Sequence, residues 1–331
     1  MRRPLLLIVV AGFALRCEHS DDALTSDSQP VPLTKTRVKD GMVMVYVPPG
    51  EFLMGSDLME AFVVSGRPAR GDLRLFWFPD QRPSHRVYLD GYWIDQTEVT
   101  VGMFKKFVEA TGYRTSAERE GWGKPWQPGP KELEWPMIRG ADWLHPRGPG
   151  STAEDDHPVV QVSWEDGMAY CEWVGATLPT EAQWEKAARG TDGRRYPWGN
   201  DFDGTRLNYG DKNCPVERWR DTHYNDGYAF TSPVGIYPGG ASPYGVLDLA
   251  GNVWEWVFDW YDESYYASSP SSNPRGPSNG HLKSLRGGSW YDGEPEGWVT
   301  CVIRHQNEPT DRYEDVGFRC SVWSDTSESR E

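Results

Sequence analysis

The sequence predicts a single compact α+β domain with little regular secondary structure and many ordered loops. Three observations predict it. The 331 residues include 17 Trp, 35 Gly and 26 Pro, which suits irregular backbone pinned by large aromatic anchors and not a helical bundle. Short apolar and alternating runs are interspersed with only a few segments of helical period. After a polar N-terminal stretch, no shift of composition separates two domains, so residues 40–322 read as one unit.

In chain order, residues 1–17 read as an export signal. Arg2 and Arg3 precede an apolar run from Leu5 to Leu15, too short for a membrane-spanning helix, which needs about 20 residues. Gly12-Phe13-Ala14 offers a small-x-small cleavage pattern. Cys17 invites lipid attachment, although Arg16 stands where such a signal wants a small residue. The expectation is an exported protein, periplasmic or extracellular, reaching a membrane only through a lipid anchor at Cys17. Residues 18–39 are polar and aperiodic and read as a disordered linker; residues 323–331 read as a polar tail.

Met42 to Gly50 is a β-rich run closed by Pro-Pro-Gly, with Glu51 to Ser56 as its expected hairpin partner. His85 to Asp95 reads as two strands around an Asp90-Gly91 hairpin turn. Thr100 caps a helix carrying Val101, Phe104, Phe107 and Val108 at helical spacing, and Gly112 ends it. Residues 113–156 form a Trp-, Pro- and Gly-rich insertion without clear period. Asp156 to Val162 reads as a short strand, and Ser163 opens a helix with Asp166 three residues on. Thr180, Gln183 and Gly190 bracket a further helix. Residues 191–240 and 259–280 are loops. The block from Tyr244 to Trp256, with Glu255 between two Trp, is expected to pack against Arg286-Gly-Gly-Ser-Trp290 and Gly317-Phe-Arg-Cys320.

The formal charge of -15 argues against nucleic-acid binding, which needs a basic face. The seven histidines are scattered, and no CxxC or HxxxH spacing, nucleophile elbow or phosphate-binding loop occurs. Hard cations want carboxylates, Asn side chains and backbone carbonyls. Two loop clusters supply them: Asn208 and Asp226 with the carbonyls of Tyr209 and Tyr228, and Asp248 and Glu255 with those of Gly251 and Val253. Turn formation by Asn and Asp is the competing reading at both. Setting Cys17 aside, Cys171, Cys214, Cys301 and Cys320 allow three disulfide connectivities, and spacing does not choose among them.

Nine blocks, among them Met44-Val-Tyr-Val-Pro-Pro-Gly-Glu-Phe-Leu-Met-Gly55, Leu178-Pro-Thr-Glu-Ala-Gln-Trp-Glu185, Gly251-Asn-Val-Trp-Glu-Trp256 and Arg286-Gly-Gly-Ser-Trp290, run in the order found in the formylglycine-generating enzyme (sulfatase-modifying factor) family, which the chain resembles over about residues 42–322. The resemblance implies a C-type-lectin-like core. It implies two structural calcium ions, the first at Asn208, Tyr209, Asp226 and Tyr228, the second at Asp248, Gly251, Val253 and Glu255. It also implies a Cys171–Cys320 disulfide. Cys301 matches a structural cysteine whose usual partner position holds Ala188 here, leaving Cys214 as its expected replacement.

The enzymes of this family hold copper with two cysteines shortly after the Arg-Gly-Gly-Ser block. Those positions fall on Asp292 and on Gly297 or Trp298. Copper(I) prefers soft sulfur, so copper is not expected. The resemblance therefore implies a non-catalytic module that binds a peptide, protein or glycan near Ser289, Trp290, Tyr291, Asp292, Glu294, Glu296 and Trp298, with Arg304 beside the pocket. The alternative is an oxidoreductase acting on a peptide or small molecule by a route that does not use the cysteine pair.

Overall fold

The computed structural model describes residues 32–57, 79–129, 134–293 and 297–324. Two four-stranded sheets carry the domain. The first has the order β1 (Thr34–Thr36), β2 (Val43–Val47), β5 (Tyr92–Asp95), β12 (Ser321–Trp323). The second has the order β10 (Arg304–Asn307), β9 (Lys283–Arg286), β8 (Trp254–Trp260), β11 (Val316–Phe318). β3 (Gly50–Met54) pairs with β4 (His85–Leu89), and β6 (Trp122–Gly123) with β7 (Ile138–Arg139).

The helices form where their caps allow. Thr100 accepts from the Met103 amide to open α1 (Val101–Thr111), which Gly112 closes in the left-handed region at φ 66°. Full capping boxes at Ser163–Asp166 and Thr180–Gln183 open α3 (Trp164–Val174) and α4 (Glu181–Arg189). A third, at Thr115–Glu118, opens α2 (Ser116–Glu120) inside the insertion where no helix is expected from the sequence. One core cluster joins Phe104, Tyr170, Trp256 and Phe318; a second joins Trp184 of α4 to Phe52, Leu89 and Ile94.

Several expected pairings differ. Glu51 to Ser56 does not fold back on β2, because Gly50 to Met54 pairs with His85 to Leu89. The two strands around Asp90-Gly91 exist but are not a hairpin. β5 is buried throughout and lies between β2 and β12, while β4 leaves toward β3. Residues 156–162 form no strand beyond a bridge between Thr100 and Pro158, since Gln161 turns into positive φ at 58°. Ordered structure begins inside the expected linker: β1 pairs with β2, and Arg37 bonds Asp40 and Asp95. At the other end Trp323, expected in the tail, belongs to β12. The signal segment and Cys17 lie outside the described residues.

The expected contact between the two C-terminal blocks is present. β11 runs parallel to β8, with Gly317 opposite Glu255, and Arg286 of β9 stands opposite the same Glu255. Cys171 of α3 bonds Cys320 across 149 residues of sequence. Cys214 and Cys301 do not pair and are free and buried. Cys301 lies in the core cluster that holds Ala187 and Ala188, whereas the Cys214 thiol lies 3.8 Å from the Val216 carbonyl. Replacing both Cys171 and Cys320 by Ala should lower stability by about 2–5 kcal/mol, because closing so long a loop restricts the unfolded chain. Urea unfolding under non-reducing conditions checks this, and an unchanged midpoint would contradict it.

Candidate binding pocket and cation sites

The Arg-Gly-Gly-Ser block builds the site from beneath. Arg286 is fully buried and bonds Glu185 at 2.7 Å, Glu181 at 3.3 Å and the Cys301 carbonyl at 2.9 Å. Gly288 adopts φ 77°, and a Cβ there would stand 2.4 Å from the Trp298 carbonyl oxygen. The turn it permits carries Ser289, whose amide and hydroxyl donate to Asp292 Oδ2 at 2.8 and 3.0 Å. The Asp292 carbonyl accepts from the Gly210 amide at 2.9 Å, which ties this loop to the Asn208 loop.

Close to that turn, with Tyr291 in its lining, is a cavity of about 140 Å³ walled also by Trp135, Trp254, Tyr313, His305 and Asp315. Trp135 stands 5.6 Å from Tyr291 and 5.4 Å from Tyr313, and Trp254 stands 5.3 Å from His305, all between ring centroids. Asp315 is held by its backbone, whose carbonyl accepts from the Trp254 amide at 2.8 Å. Burial pushes its carboxyl well above the usual range, and the neighbouring Asp292 and Glu314 push it further, against a hydrogen bond from Ser289. Burial pushes His305 down to about 4, so its imidazole is neutral at pH 7. No hydrogen bond to its ring nitrogens occurs among the described residues.

Of the residues expected at this pocket, Tyr291 lines it. Trp298 flanks it, edge-on to Trp254 at 6.4 Å. Ser289 and Asp292 are buried beside Asp315, Ser289 as a hydrogen-bond partner and Asp292 as a neighbouring like charge. Trp290 does not face the cavity: it is buried against Phe230 at 5.0 Å and Tyr291 at 5.3 Å. Arg304 is not a pocket residue either, because its guanidinium is taken up by Glu181 at 2.7 and 2.9 Å and by the Asp80 carbonyl at 2.6 Å. Glu294 and Glu296 lie outside the described residues. Sequence reasoning missed Trp135, Trp254, His305, Tyr313 and Asp315. A signal existed for one of them: pairing Gly317 with Glu255 carries Asp315 to the start of β8, beside Trp254.

The two cation clusters are neighbours. Gly251 packs so tightly on the Asn208 loop that a Cβ would stand 2.0 Å from the Asn208 carbonyl oxygen. Asn252, in the left-handed region at φ 60°, accepts from Asn208 Nδ2 at 3.2 Å and donates to Glu98 Oε1 at 3.1 Å. In the first cluster Asn208 Nδ2 also donates to the Phe230 carbonyl, which fixes the amide and leaves Oδ1 buried without a partner. Burial pushes Asp226 up to about 7, and Asp211, a buried carboxylate absent from the sequence reading, adds to that. An oxygen-seeking cation fits this set. In the second cluster the fit is to different groups. Both Glu255 oxygens accept from Arg319, at 2.6 and 2.7 Å, and Oε2 also from Trp184 at 2.9 Å. The carboxylates left over are Asp248, pushed up to about 6 by burial, and Glu98, pushed well above its usual range by burial and by Asp248.

His305 gives the pocket a pH signature. Its pKa of about 4 in the folded state lies below the ordinary 6.5, so the unfolded chain binds more protons between those values. Stability present above pH 6.5 should therefore fall as pH drops toward 4, by roughly 1–3 kcal/mol from this residue. His305→Gln should flatten that part of the thermal unfolding profile. An identical profile in the variant would contradict it.

The sequence matches the family described as "Sulfatase-modifying factor enzyme 1-like domain" over residues 29–323. It is 38% identical over 323 residues to the formylglycine-generating enzyme of Streptomyces coelicolor, covering 89% of this chain and 93% of that protein. It is 34% identical over 296 residues to inactive C-alpha-formylglycine-generating enzyme 2 of Mus musculus, covering 84% and 85% of the two chains. Its fold is similar to that of PvdO from Pseudomonas aeruginosa, with a TM-score of 0.64 and 26% identity over 87% of this chain and 97% of that one. By sequence and by fold, the chain belongs to the formylglycine-generating enzyme family.

Proposed function

We propose that the chain is an exported, non-catalytic binding module that uses the family's fold, stiffened by calcium, to hold a peptide, protein or glycan ligand. One observation carries this reading. The two positions where the family's enzymes hold copper are Asp292 and Gly297 or Trp298, and Asp292 is already locked to Ser289. Neither remaining thiol is a substitute. Cys214 and Cys301 are buried, do not line the cavity, and are pushed up to about 12 by burial, so neither is a thiolate at neutral pH. The similarity to a mouse relative named as inactive supports the same reading. Among the described residues, no helix is long and apolar enough to cross a membrane; export rests on the N-terminal sequence pattern alone.

Calcium at the first cluster would be held by Asn208 and Asp226 with the carbonyls of Tyr209 and Tyr228, and Asp211 stands ready to join them. At the second, Asp248 with the carbonyls of Gly251 and Val253 remain the candidates, with Glu98 a better carboxylate partner than Glu255. The ions would neutralise buried acids and cross-link loops; they have no part in a reaction.

Co-expression with a peptide bearing the sulfatase cysteine motif, followed by aldehyde detection, tests the absence of the family's chemistry. No aldehyde above the empty-vector background is expected, and a clear excess would overturn the reading. Removing calcium by chelation should lower the melting temperature, corresponding to about 3 kcal/mol when the ion had been present at a hundredfold excess over its Kd. Asn208→Ala should abolish most of that response. Equal melting temperatures with chelator and with calcium would remove calcium from the account.

A further inference from the structure

The buried acids of this protein fall into two groups. One group has an arginine: Glu181 has Arg304 and Arg286, Glu185 has Arg286 and Arg189, Glu255 has Arg319, and Asp40 and Asp95 share Arg37. Asp315 is only 3% exposed, and among the described residues no arginine or lysine pairs with it. It is also one wall of the aromatic cavity, where a carboxyl group and four aromatic side chains border the same space.

We propose that this cavity receives an alkylammonium cation, the head group of a lysine-like side chain or its methylated form, with the charge beside Asp315 and the carbons between Trp135, Trp254, Tyr291 and Tyr313. The inference rests on the binding-module reading and names the chemistry of its ligand. An ammonium is attracted both to a carboxylate and to the negative faces of indole and phenol rings, and it gains most where water is excluded. The molecule already contains one such arrangement. The Lys283 ammonium lies 3.9 Å from the Trp164 ring centre and 3.8 Å from that of Trp260, with Asp259 contributing attraction. At the cavity Lys124 already lies 4.8 Å from the Tyr313 ring centre, where it pairs with Asp311, but among the described residues no lysine or arginine pairs with Asp315, so a cation beside that acid must come from outside. A volume of about 140 Å³ suits a head group with a few carbons; it is small beside the ~300 Å³ at which drug-sized pockets begin, which disfavours a whole sugar ring. Neutral His305 adds no opposing positive charge.

The test titrates the full chain with n-butylammonium and with tetramethylammonium at fixed ionic strength, read by calorimetry and tryptophan fluorescence. Neutral 1-butanol and anionic butyrate serve as controls. Saturable binding of either ammonium, roughly tenfold or more tighter than 1-butanol, is expected. The tighter of the two names the methylation state. Asp315→Asn should weaken that binding by roughly tenfold. Trp135→Ala, at a partly exposed ring outside the two main core clusters, should weaken it several-fold and keeps the test open if the Asp315 variant fails to fold, as far-UV circular dichroism would report. No saturable ammonium binding, equal binding of 1-butanol, or unchanged affinity in folded Asp315→Asn would overturn the proposal. The aldehyde assay on the same preparation separates the two claims: aldehyde removes the binding-module reading, whereas failed ammonium binding without aldehyde removes only the ligand class.

Discussion

The buried ion pair between Arg319 and Glu255 is the interaction on which the rest of the structure depends. Arg319 lies in the two-residue link between β11 and β12, where the chain crosses from the second sheet to the first. Its Nε and Nη2 reach both Glu255 oxygens on β8, while Nη1 donates to the carbonyls of Asp95 and Gln96 at the end of β5. Nη2 also reaches the Leu247 and Asp248 carbonyls, which anchors the second cation cluster. A fully buried guanidinium tolerates this place only because nearly every donor finds an oxygen. Two sheets and the Leu247–Asp248 loop therefore share a single charged group, and the next residue, Cys320, adds the covalent tie to α3.

From that anchor follows the contrast between acids that the fold keeps for itself and acids that it leaves available. Glu181, Glu185 and Glu255 are consumed by Arg286, Arg304 and Arg319, so they hold elements together and have no capacity for a ligand. Asp211, Glu98, Asp248 and Asp315, all buried, and the half-buried Asp226 have no such arginine pairing among the described residues. The carboxyls of Asp226, Glu98, Asp248 and Asp315 are held toward the neutral form by desolvation, and a cation of the right kind would reverse that. The site's chemistry is set less by which residues line it than by which of them the scaffold has already neutralised.

Much of the scaffold was legible in the sequence because its signals are local. Thr100 with Gly112, Ser163 with Asp166, and Thr180 with Gln183 and Gly190 announce helices through caps that depend on neighbouring backbone. Strand partners were not legible: Gly50–Met54 and Tyr92–Asp95 look like halves of adjacent hairpins, yet pairing is decided by burial against distant chain. The Cys171–Cys320 bond was implied by resemblance and is present, while the Cys214–Cys301 pair is not. For the pocket, position along the chain pointed to Asp292 and Tyr291. Besides Tyr291 the walls come from four separated stretches, around 135, 254, 305 and 313–316, which only the folded chain brings together. Arg304 shows the opposite error: proximity in sequence to the site, but a side chain spent on Glu181.

This member of the family has Asp292 and Gly297 or Trp298 where the enzymes hold copper, and the proposed function gives it calcium instead. Metal analysis of the purified chain, grown and handled with both copper and calcium present, decides between the two. Calcium in near-stoichiometric amount with copper at background is expected. Stoichiometric copper, or a chain devoid of calcium, would contradict it.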